Sequence, residues 1–345
     1  MMINIFGCNK TFIIAEAGVN HNGDIDIARK LIDVAVDAGA DAVKFQTFSA
    51  DGLVTKNAPK ADYQNKTTDK NESQYDMLKK LELSKEDHEI LIDYCNDKNI
   101  QFMSTPFDFD SVDLLEKLGL EMYKIGSGDL TNIPLLKYIA KLGKPMIVST
   151  GMADIGEVEE AVNAIQEMGN NKLILLHCVS NYPAAYEEVN LKAMDTMKQA
   201  FKLPVGYSDH TKGIEVPIAA VAMGARVIEK HFTLDKNMEG PDHKASLNPE
   251  ELSMMIKSIR NVEKSFGNGV KKSTKAEMKN IKIVRKSLVI NKAKKIGQII
   301  RNKDIDIKRP SIGIEPKFKN IIIGMKLTNN VEADHLLTWE DLKVE

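Results

Sequence analysis

This sequence of 345 residues has few cysteines, a small net charge and no long apolar stretch. Its three cysteines, Cys8, Cys95 and Cys178, lie far apart without a CxxC pair, which argues against a disulfide framework and against a thiolate zinc site. Lysine and arginine total 47, and aspartate and glutamate total 49. The resulting net charge of −2 argues against a protein that binds nucleic acid mainly through its phosphates.

Signals for membranes and export are missing as well. The most apolar stretch, residues 216–223, is far shorter than the roughly 18 residues that a membrane-spanning helix needs. The first residues, MMINIFGC, lack the basic region and the apolar core of a signal peptide. We therefore expect a soluble protein of the reducing cytoplasm that has neither a membrane nor a nucleic acid as its partner.

Short apolar runs alternate with amphipathic helical stretches along most of the chain. The eight predicted strands are residues 12–15, 42–45, 101–103, 122–125, 145–148, 173–176, 204–207 and 227–230. A helical stretch follows each strand, and Asp24 is the predicted N-cap of the first helix. Eight such units predict an α/β fold, a (β/α)8 TIM barrel. An open doubly wound sheet is the alternative, but residues 17–23 lack the GxGxxG spacing that is typical of it.

Composition changes after the last of these helices. Residues 267–283 are rich in Lys, Gly, Ser and Thr and predict a linker. Residues 284–345 contain short apolar pieces separated by turns, which indicate a small β-rich module. Residues 1–266 are then the catalytic barrel. Within it, the polar insertion at residues 50–74 is longer than ordinary loops, which favours a functional lid.

Polar side chains end every predicted strand, and barrel enzymes place their chemistry at those ends. Lys44 and Lys124, with the hydroxyls of Ser127 and Ser149 and nearby glycine N–H groups, predict an anion site that suits phosphate. The alternative is that each lysine pairs with a neighbouring glutamate in a structural network.

Two histidines, His210 and His231, end adjacent predicted strands. Neutral imidazoles that converge in this way suit a divalent metal such as Mn, Zn or Fe, with coordination positions left for substrate and water. The alternative is a pair of ordinary histidines, one of them bonded to Asp209 or Glu229.

Other polar residues have weaker assignments. Glu16 is either a general base that orients water or an ion-pair partner within the barrel. His21 lies in a loop rich in Gly and Asn and is either functional or a turn residue. His88 and His335 lie among polar residues, so we expect both on the solvated surface.

Nine motifs carry a family resemblance: IAEAGVNHNG at 14–23, VKFQT at 43–47, STPF at 104–107, KIGSG at 124–128, STGM at 149–152, HC and NYP at 177–183, GYSDH at 206–210, EKHF at 229–232, and GPDH at 240–243. On these motifs the sequence resembles the sialic acid synthase family, which includes N-acetylneuraminate, legionaminate and pseudaminate synthases. KRP at 308–310 falls where that family has its C-terminal antifreeze-like, or SAF, domain.

The resemblance implies a transferase that condenses phosphoenolpyruvate with the open-chain aldehyde of an N-acetylmannosamine-type sugar. Carbon C3 of phosphoenolpyruvate attacks the aldehyde, water adds at C2, and phosphate leaves by C–O cleavage. With N-acetylmannosamine the product is N-acetylneuraminate. The alternative is 2,4-diacetamido-2,4,6-trideoxymannose, which gives N,N'-diacetyllegionaminate. An octulosonate-type synthase is a more distant alternative, and it would require a further basic cluster for a sugar phosphate.

The resemblance also implies residue roles. His210 and His231 would hold Mn²⁺ or Mg²⁺, and Glu16 would orient the metal-bound water. The implied phosphoenolpyruvate ligands are Lys44, Lys124, Ser127, Ser149, Asn181 and Ser208. The implied sugar contacts are Gln46, Asp129, Tyr182, Asp242 and Arg309. In the family this arginine comes from the partner subunit, which implies a domain-swapped homodimer.

Overall fold

A computed structural model describes residues 10–61, 64–69 and 72–344 and divides the chain into two compact units, Met1–Phe266 and Gly267–Glu345. The first unit contains eight parallel strands: β1 Phe12–Gly18, β2 Ala42–Thr47, β3 Gln101–Pro106, β4 Tyr123–Ile125, β5 Met146–Ser149, β6 Leu173–Cys178, β7 Val205–Asp209 and β8 Val227–His231. Their hydrogen-bonded order is β3-β2-β1-β8-β7-β6-β5-β4. Because β3 and β4 also lie in contact, the sheet forms a nearly closed barrel, and the predicted (β/α)8 fold is confirmed.

Helices connect these strands: α1 Ile25–Ala38, α2 Ala50–Leu53, α3 Gln64–Thr67, α4 Gln74–Lys79, α5 Lys85–Lys98, α6 Phe109–Lys117, α7 Ile133–Ala140, α8 Ile155–Glu167, α9 Ala193–Phe201, α10 Glu215–Ala222 and α11 Pro249–Ser265. Asp24 caps α1 as predicted, because its side chain accepts hydrogen bonds from the N–H groups of Asp26 and Ile27. In α5 the cap is Ser84, which forms a reciprocal capping box with Asp87.

Side chains along each barrel strand alternate between the helix layer and the barrel interior. The helix-facing residues, such as Ile13, Val43 and Tyr123, pack with the helices in one large core cluster. The interior residues form a separate apolar cluster: Phe12, Ile14, Ala42, Met103, Met122, Ile147, Ile174, Leu176 and Val227. We call this second cluster the lower layer. It fills the barrel beneath the carboxyl ends of the strands.

The insertion between β2 and α5 carries the short helices α2, α3 and α4. Its apolar residues pack with those of neighbouring loops in a cluster of Val19, Phe48, Met77 and Leu81, with Leu53, Leu78 and Phe107 packed against them. The predicted lid at residues 50–74 is therefore partly helical, and its Leu53 packs against this cluster. The lid role stays a prediction.

The second unit contains α12 Lys275–Val284, α13 Lys319–Ile322 and four short strands: β9 Ser287–Ile290, β10 Ile305–Lys308, β11 Lys326–Leu327 and β12 Leu342–Lys343. The strands pair antiparallel as β9 with β10 and β11 with β12. Helix α12 falls largely within the predicted linker, because Thr274 and Glu277 form a capping box that starts a helix there. In the part of the chain that the structure describes, no helix is both long and apolar enough to span a bilayer.

Candidate active site at the carboxyl ends of the barrel strands

A cavity of about 390 Å³ lies at the carboxyl ends of the barrel strands. It is lined by most of the residues that the sequence singled out: Glu16, Lys44, Gln46, Lys124, Ser127, Ser149, Tyr182, Ser208, His210, His231 and Asp242. The inward-facing positions at the ends of β1, β2, β5, β7 and β8 supply several of them. The barrel fold thus brings together residues that are more than 200 positions apart in the chain.

Two lysines and two glutamates form the charged floor of this cavity. The Nζ of Lys44 lies 2.6 Å from Oε2 of Glu16 and 3.6 Å from Oε2 of Glu229. The Nζ of Lys124 lies 3.4 Å from Oε1 of Glu229. All four side chains are almost completely buried. Glu229 therefore links the two lysines, as the glutamate-pairing alternative predicted, while both lysines also line the cavity.

Hydroxyl groups complete the bonding of the floor. The ammonium of Lys44 donates to Oγ1 of Thr105 at 2.9 Å, and that of Lys124 donates to Oγ of Ser149 at 2.7 Å. Ser208 donates to Oε1 of Glu229 at 2.8 Å. Each ammonium group thus bonds a hydroxyl group as well as pairing with a glutamate. These bonds fix the positions of the charged groups that an entering anion would contact.

Burial and neighbouring charges give the carboxyl groups of Glu16 and Glu229 different pKa values. Burial raises the pKa of Glu16 to about 7, although the ammonium of Lys44 acts in the opposite direction. Burial would also raise the pKa of Glu229, but Lys124 and Lys44 hold that pKa well below its usual range. Burial lowers the pKa of Lys124, whereas the pKa of Lys44 is raised because Glu16 and Glu229 outweigh its burial. The four groups of the floor therefore differ in how readily each gains or loses a proton.

His210 and His231 lie side by side above this floor, with ring centroids 5.6 Å apart. The ring of Tyr182 lies 4.1 Å from that of His210 and 5.7 Å from that of His231. Burial lowers the pKa of both histidines, so both imidazoles are neutral at neutral pH. Nearby, burial raises the pKa of Asp242 to about 6.

The two imidazoles have the donor atoms that a divalent metal needs. Nδ1–H of His210 donates to the carbonyl of Val179 at 2.7 Å, which leaves the lone pair of Nε2 available. Nδ1 of His231 is buried without a hydrogen-bond partner. Among the described residues, no group of three or more His, Cys, Asp or Glu is arranged to hold a metal. An ion bound by this pair would therefore complete its coordination with water or substrate.

Two predicted site residues of the first unit do not line the cavity. Asn181 is exposed, and Asp129 is half-buried with its carboxylate accepting a hydrogen bond from Asn132 at 3.0 Å. Arg309 is exposed in the second unit. The roles of these residues stay predictions.

Other cavity residues were missing from the predicted site: the polar or thiol residues Gln64, Thr105, Cys178, Ser180 and Glu229, and the apolar residues Val19, Met77, Leu78, Leu81 and Phe107. A strand period of two could have identified Glu229, because it lies two residues before His231 on the same face. No comparable signal marks Met77, Leu78 and Leu81, because their position depends on how the insertion folds back.

The expected surface position of His88 is wrong. His88 is completely buried, and its ring bonds Oγ1 of Thr47 at 2.8 Å and the carbonyl of Ser84 at 2.7 Å. Its inner-face neighbours on α5 are Leu91 and Cys95, so the three form an i, i+3, i+7 stripe towards the core.

A parallel barrel with buried lysines and histidines around one cavity at its strand ends has the architecture of a TIM-barrel enzyme, with its candidate active site in that cavity. Comparison with known proteins gives the family. Residues 31–271 match the NeuB family, and residues 285–343 match the SAF domain. The chain belongs to the NeuB family.

Similar proteins agree with this assignment. The N,N'-diacetyllegionaminic acid synthase of Campylobacter jejuni is 55% identical over 330 residues, which cover 95% of this chain and 99% of the relative. The enzyme of the same name from Legionella pneumophila is 49% identical, with coverage of 96% of this chain and 94% of the relative. A crystal structure of the N-acetylneuraminic acid synthetase of Leptospira borgpetersenii aligns with a TM-score of 0.71 at 37% identity, covering 81% of this chain and 94% of that one. The chain is therefore a nonulosonate synthase.

Proposed function

We propose that this enzyme condenses phosphoenolpyruvate with 2,4-diacetamido-2,4,6-trideoxymannose to give N,N'-diacetyllegionaminate and phosphate. The observation that carries this proposal is that two buried lysines and two neutral histidines line the same cavity. The two synthases with 55% and 49% identity favour this sugar over N-acetylmannosamine, which the sequence analysis placed first.

Phosphoenolpyruvate would bind at the charged floor. Lys44 and Lys124 would contact its phosphate and carboxylate, and Ser127 and Ser149 would add hydrogen bonds, since all four line the cavity. Glu229 bridges the two lysines and would keep their ammonium groups in place as the anion enters. In this position, C3 of phosphoenolpyruvate would face the part of the cavity where the sugar aldehyde would bind.

The donor set of His210 and His231 fits a divalent ion such as Mn²⁺ or Mg²⁺, which would supply Lewis-acid polarisation of the aldehyde when bound. The carboxylate of Glu16 would accept the proton of the water that adds to C2 of phosphoenolpyruvate. Its pKa of about 7 allows it to accept and return a proton near neutral pH. The C–C bond forms at C3, and the proton that Glu16 takes from water returns to the aldehyde oxygen, which becomes a hydroxyl group. The hydroxyl at C2 then becomes the keto group as the C2–O bond to phosphate breaks, and its proton leaves with the phosphate.

The apolar wall of the cavity supports a deoxy sugar. This wall consists of Val19, Met77, Leu78, Leu81 and Phe107. A 6-deoxy sugar presents a methyl group where N-acetylmannosamine presents a hydroxyl, and apolar surfaces pack against methyl groups without an unpaired polar atom. Among the described lining residues, Lys44 and Lys124 are the basic side chains apart from histidine, which disfavours a sugar phosphate.

A paired assay tests this function. The protein is incubated with Mn²⁺, phosphoenolpyruvate and either the diacetamido sugar or N-acetylmannosamine, and phosphate and 2-keto acid are measured. We expect both products from the diacetamido sugar, with kcat/KM at least about 10-fold higher than with N-acetylmannosamine. Absence of product from both sugars would refute the synthase proposal, and a preference for N-acetylmannosamine would reverse the substrate assignment.

We also propose a homodimer in which Arg309 contacts the sugar bound by the partner subunit. The family resemblance and the SAF match at residues 285–343 support this arrangement. An Arg309→Ala protomer and a His210→Ala protomer, each weakly active or inactive alone, should regain activity when they are unfolded and refolded together. Absence of regained activity would contradict the shared site.

A further inference from the structure

A second ion pair, between Asp209 and Lys230, lies just outside the cavity. The two side chains are 0% and 1% exposed, and Nζ of Lys230 contacts Oδ2 of Asp209. Lys230 also donates to the carbonyl of Thr211 at 2.5 Å. Asp209 accepts further hydrogen bonds from the hydroxyl of Tyr207 at 3.1 Å and from the backbone N–H of Thr211 at 3.0 Å. The pair thus belongs to a hydrogen-bonded network in the protein interior.

Asp209 and Lys230 lie next to the two cavity histidines on neighbouring strands. Asp209 on β7 and Lys230 on β8 are direct cross-strand partners, and each immediately precedes a candidate metal ligand, His210 or His231. Neither Asp209 nor Lys230 lines the cavity, whereas Ser208 and both histidines do. Because successive strand residues point to opposite faces, the ion pair lies directly behind the two histidines.

Stability alone does not explain a pair of this kind. Taking two charges out of water is costly, and apolar residues of similar size usually give equal or greater stability. What such a pair can provide is a fixed distance and register between the two elements that carry it. Here those elements are the carboxyl ends of β7 and β8.

The segment after β7 extends the same network. Thr211 donates through Oγ1 to Oδ2 of Asp209 at 3.1 Å, and it forms a backbone bridge with Ala184. The N–H of Ala184 donates to the carbonyl of His210 at 2.9 Å, while the His210 ring donates to Val179. The backbone on both sides of His210 is therefore tied to the ion pair.

We propose that Asp209 and Lys230 are positioning residues that set the spacing of His210 and His231 for a divalent ion. The inference rests on the metal role in the proposed function. Asp209 and Lys230 act from behind the strands through the backbone and contact neither substrate. Groups bonded directly to a metal ligand typically change metal affinity by about 10–100-fold, so we expect an effect at the lower end of that range here.

The test uses the double variant Asp209→Asn/Lys230→Met, which removes both charges and so leaves no unpaired ion. We expect the variant to remain folded, with Mn²⁺ binding at least about 10-fold weaker by calorimetry or electron paramagnetic resonance. Its kcat should fall, while KM for phosphoenolpyruvate changes little because Lys44 and Lys124 are untouched. A double variant that binds Mn²⁺ with the wild-type Kd would overturn the proposal.

A matched control lies near the start of β2, where Oδ2 of Asp41 lies 2.6 Å from the guanidinium of Arg260. Asp41→Asn should lower stability without changing the Kd for Mn²⁺. If Asp41→Asn weakens Mn²⁺ binding as much as the double variant does, general loosening of the barrel explains both results and the positioning role is wrong.

A second readout separates this inference from the proposed function. In protein labelled with ¹³C at histidine Cε1, the double variant should shift the signals of His210 and His231 and leave those of His21 and His88 in place. If wild-type protein binds no Mn²⁺, the metal role in the proposed function fails, and these signals alone decide: shifted signals support positioning, and unchanged signals refute it.

Discussion

The interior of the barrel has two layers that differ completely in chemistry although the same strands build both. Along four strands, the residue in the lower layer and the residue two positions later form the pairs Ile14 and Glu16, Ala42 and Lys44, Ile147 and Ser149, and Val227 and Glu229. Each pair shares one face of its strand. We call the cavity-lining residues above the lower layer, which include the second member of each pair, the upper layer. The core and the candidate active site are thus only two residues apart along each strand.

The comparison shows how the protein tolerates buried charge. Lys44, Lys124, Glu16 and Glu229 are all nearly inaccessible to water, and burial of such ions costs several kcal/mol each before pairing. The lower layer and the helix-facing cluster supply apolar burial, at about 25 cal/mol per Å², that offsets this cost. We therefore expect changes in the upper layer to affect function and changes in the lower layer to affect stability.

The largest expected effect is on turnover. His210→Ala or His231→Ala should reduce kcat/KM by more than about 100-fold, since loss of an outer partner of a metal ligand alone costs 10–100-fold. Circular dichroism should show an intact fold. His88→Ala is the matched control: His88 is equally buried but lies away from the cavity, so this variant should lose stability and keep Mn²⁺ binding. Full activity in both cavity variants would remove the basis for the metal role.

A smaller effect is expected at the charged floor. Lys124→Met removes the ammonium that bonds Ser149 and lies beside Glu229, so KM for phosphoenolpyruvate should rise about 10–100-fold. Steady-state kinetics at saturating sugar measure this change. Lys137→Met, which removes an exposed lysine paired with Glu167, should leave KM unchanged. An unchanged KM in Lys124→Met would mean that this lysine is purely structural.

The lower layer should show the opposite pattern. Ile147→Ala creates a cavity beneath Ser149, and the free energy of unfolding should fall by about 2–5 kcal/mol in urea titrations. At a temperature where circular dichroism shows the variant to be folded, kcat/KM should stay within about threefold of the wild-type value. A loss of activity as large as that of Lys124→Met would break the division between the layers.

The pH dependence of stability also distinguishes the two layers, because the lower layer contains no titratable side chain. His21 lies just after β1, near the upper layer, and burial lowers its pKa from 6.5 to about 4. Below pH 6.5 the unfolded chain takes up a proton that the folded protein does not, so stability falls as the pH falls. From pH 7 to pH 5 this residue should cost about 2 kcal/mol.

Urea titrations of wild-type protein and His21→Gln at both pH values measure this contribution. The variant should lose about 2 kcal/mol less than the wild type over this interval. Equal losses in His21→Gln and the wild type would show that His21 does not contribute.

Much of this arrangement follows from local patterns. The β-branched runs, the cap at Asp24 and the polar residues at strand ends depend on nearby sequence, and they predict the barrel and most of the cavity. His88 was misplaced because its polar neighbours hide the spacing of the buried face of α5. The double pairing of Glu229 and the apolar wall around Met77 depend on contacts between distant segments, which no local pattern reports.

Anomalous diffraction from crystals soaked with Mn²⁺ and phosphoenolpyruvate tests the central claim most directly, because that claim places an anion site and a metal site in one upper layer. We predict a manganese peak at His210 and His231 and phosphoenolpyruvate at Lys44 and Lys124, both within the same cavity. A manganese peak or a phosphoenolpyruvate molecule bound elsewhere, with this cavity left to water, would contradict the account.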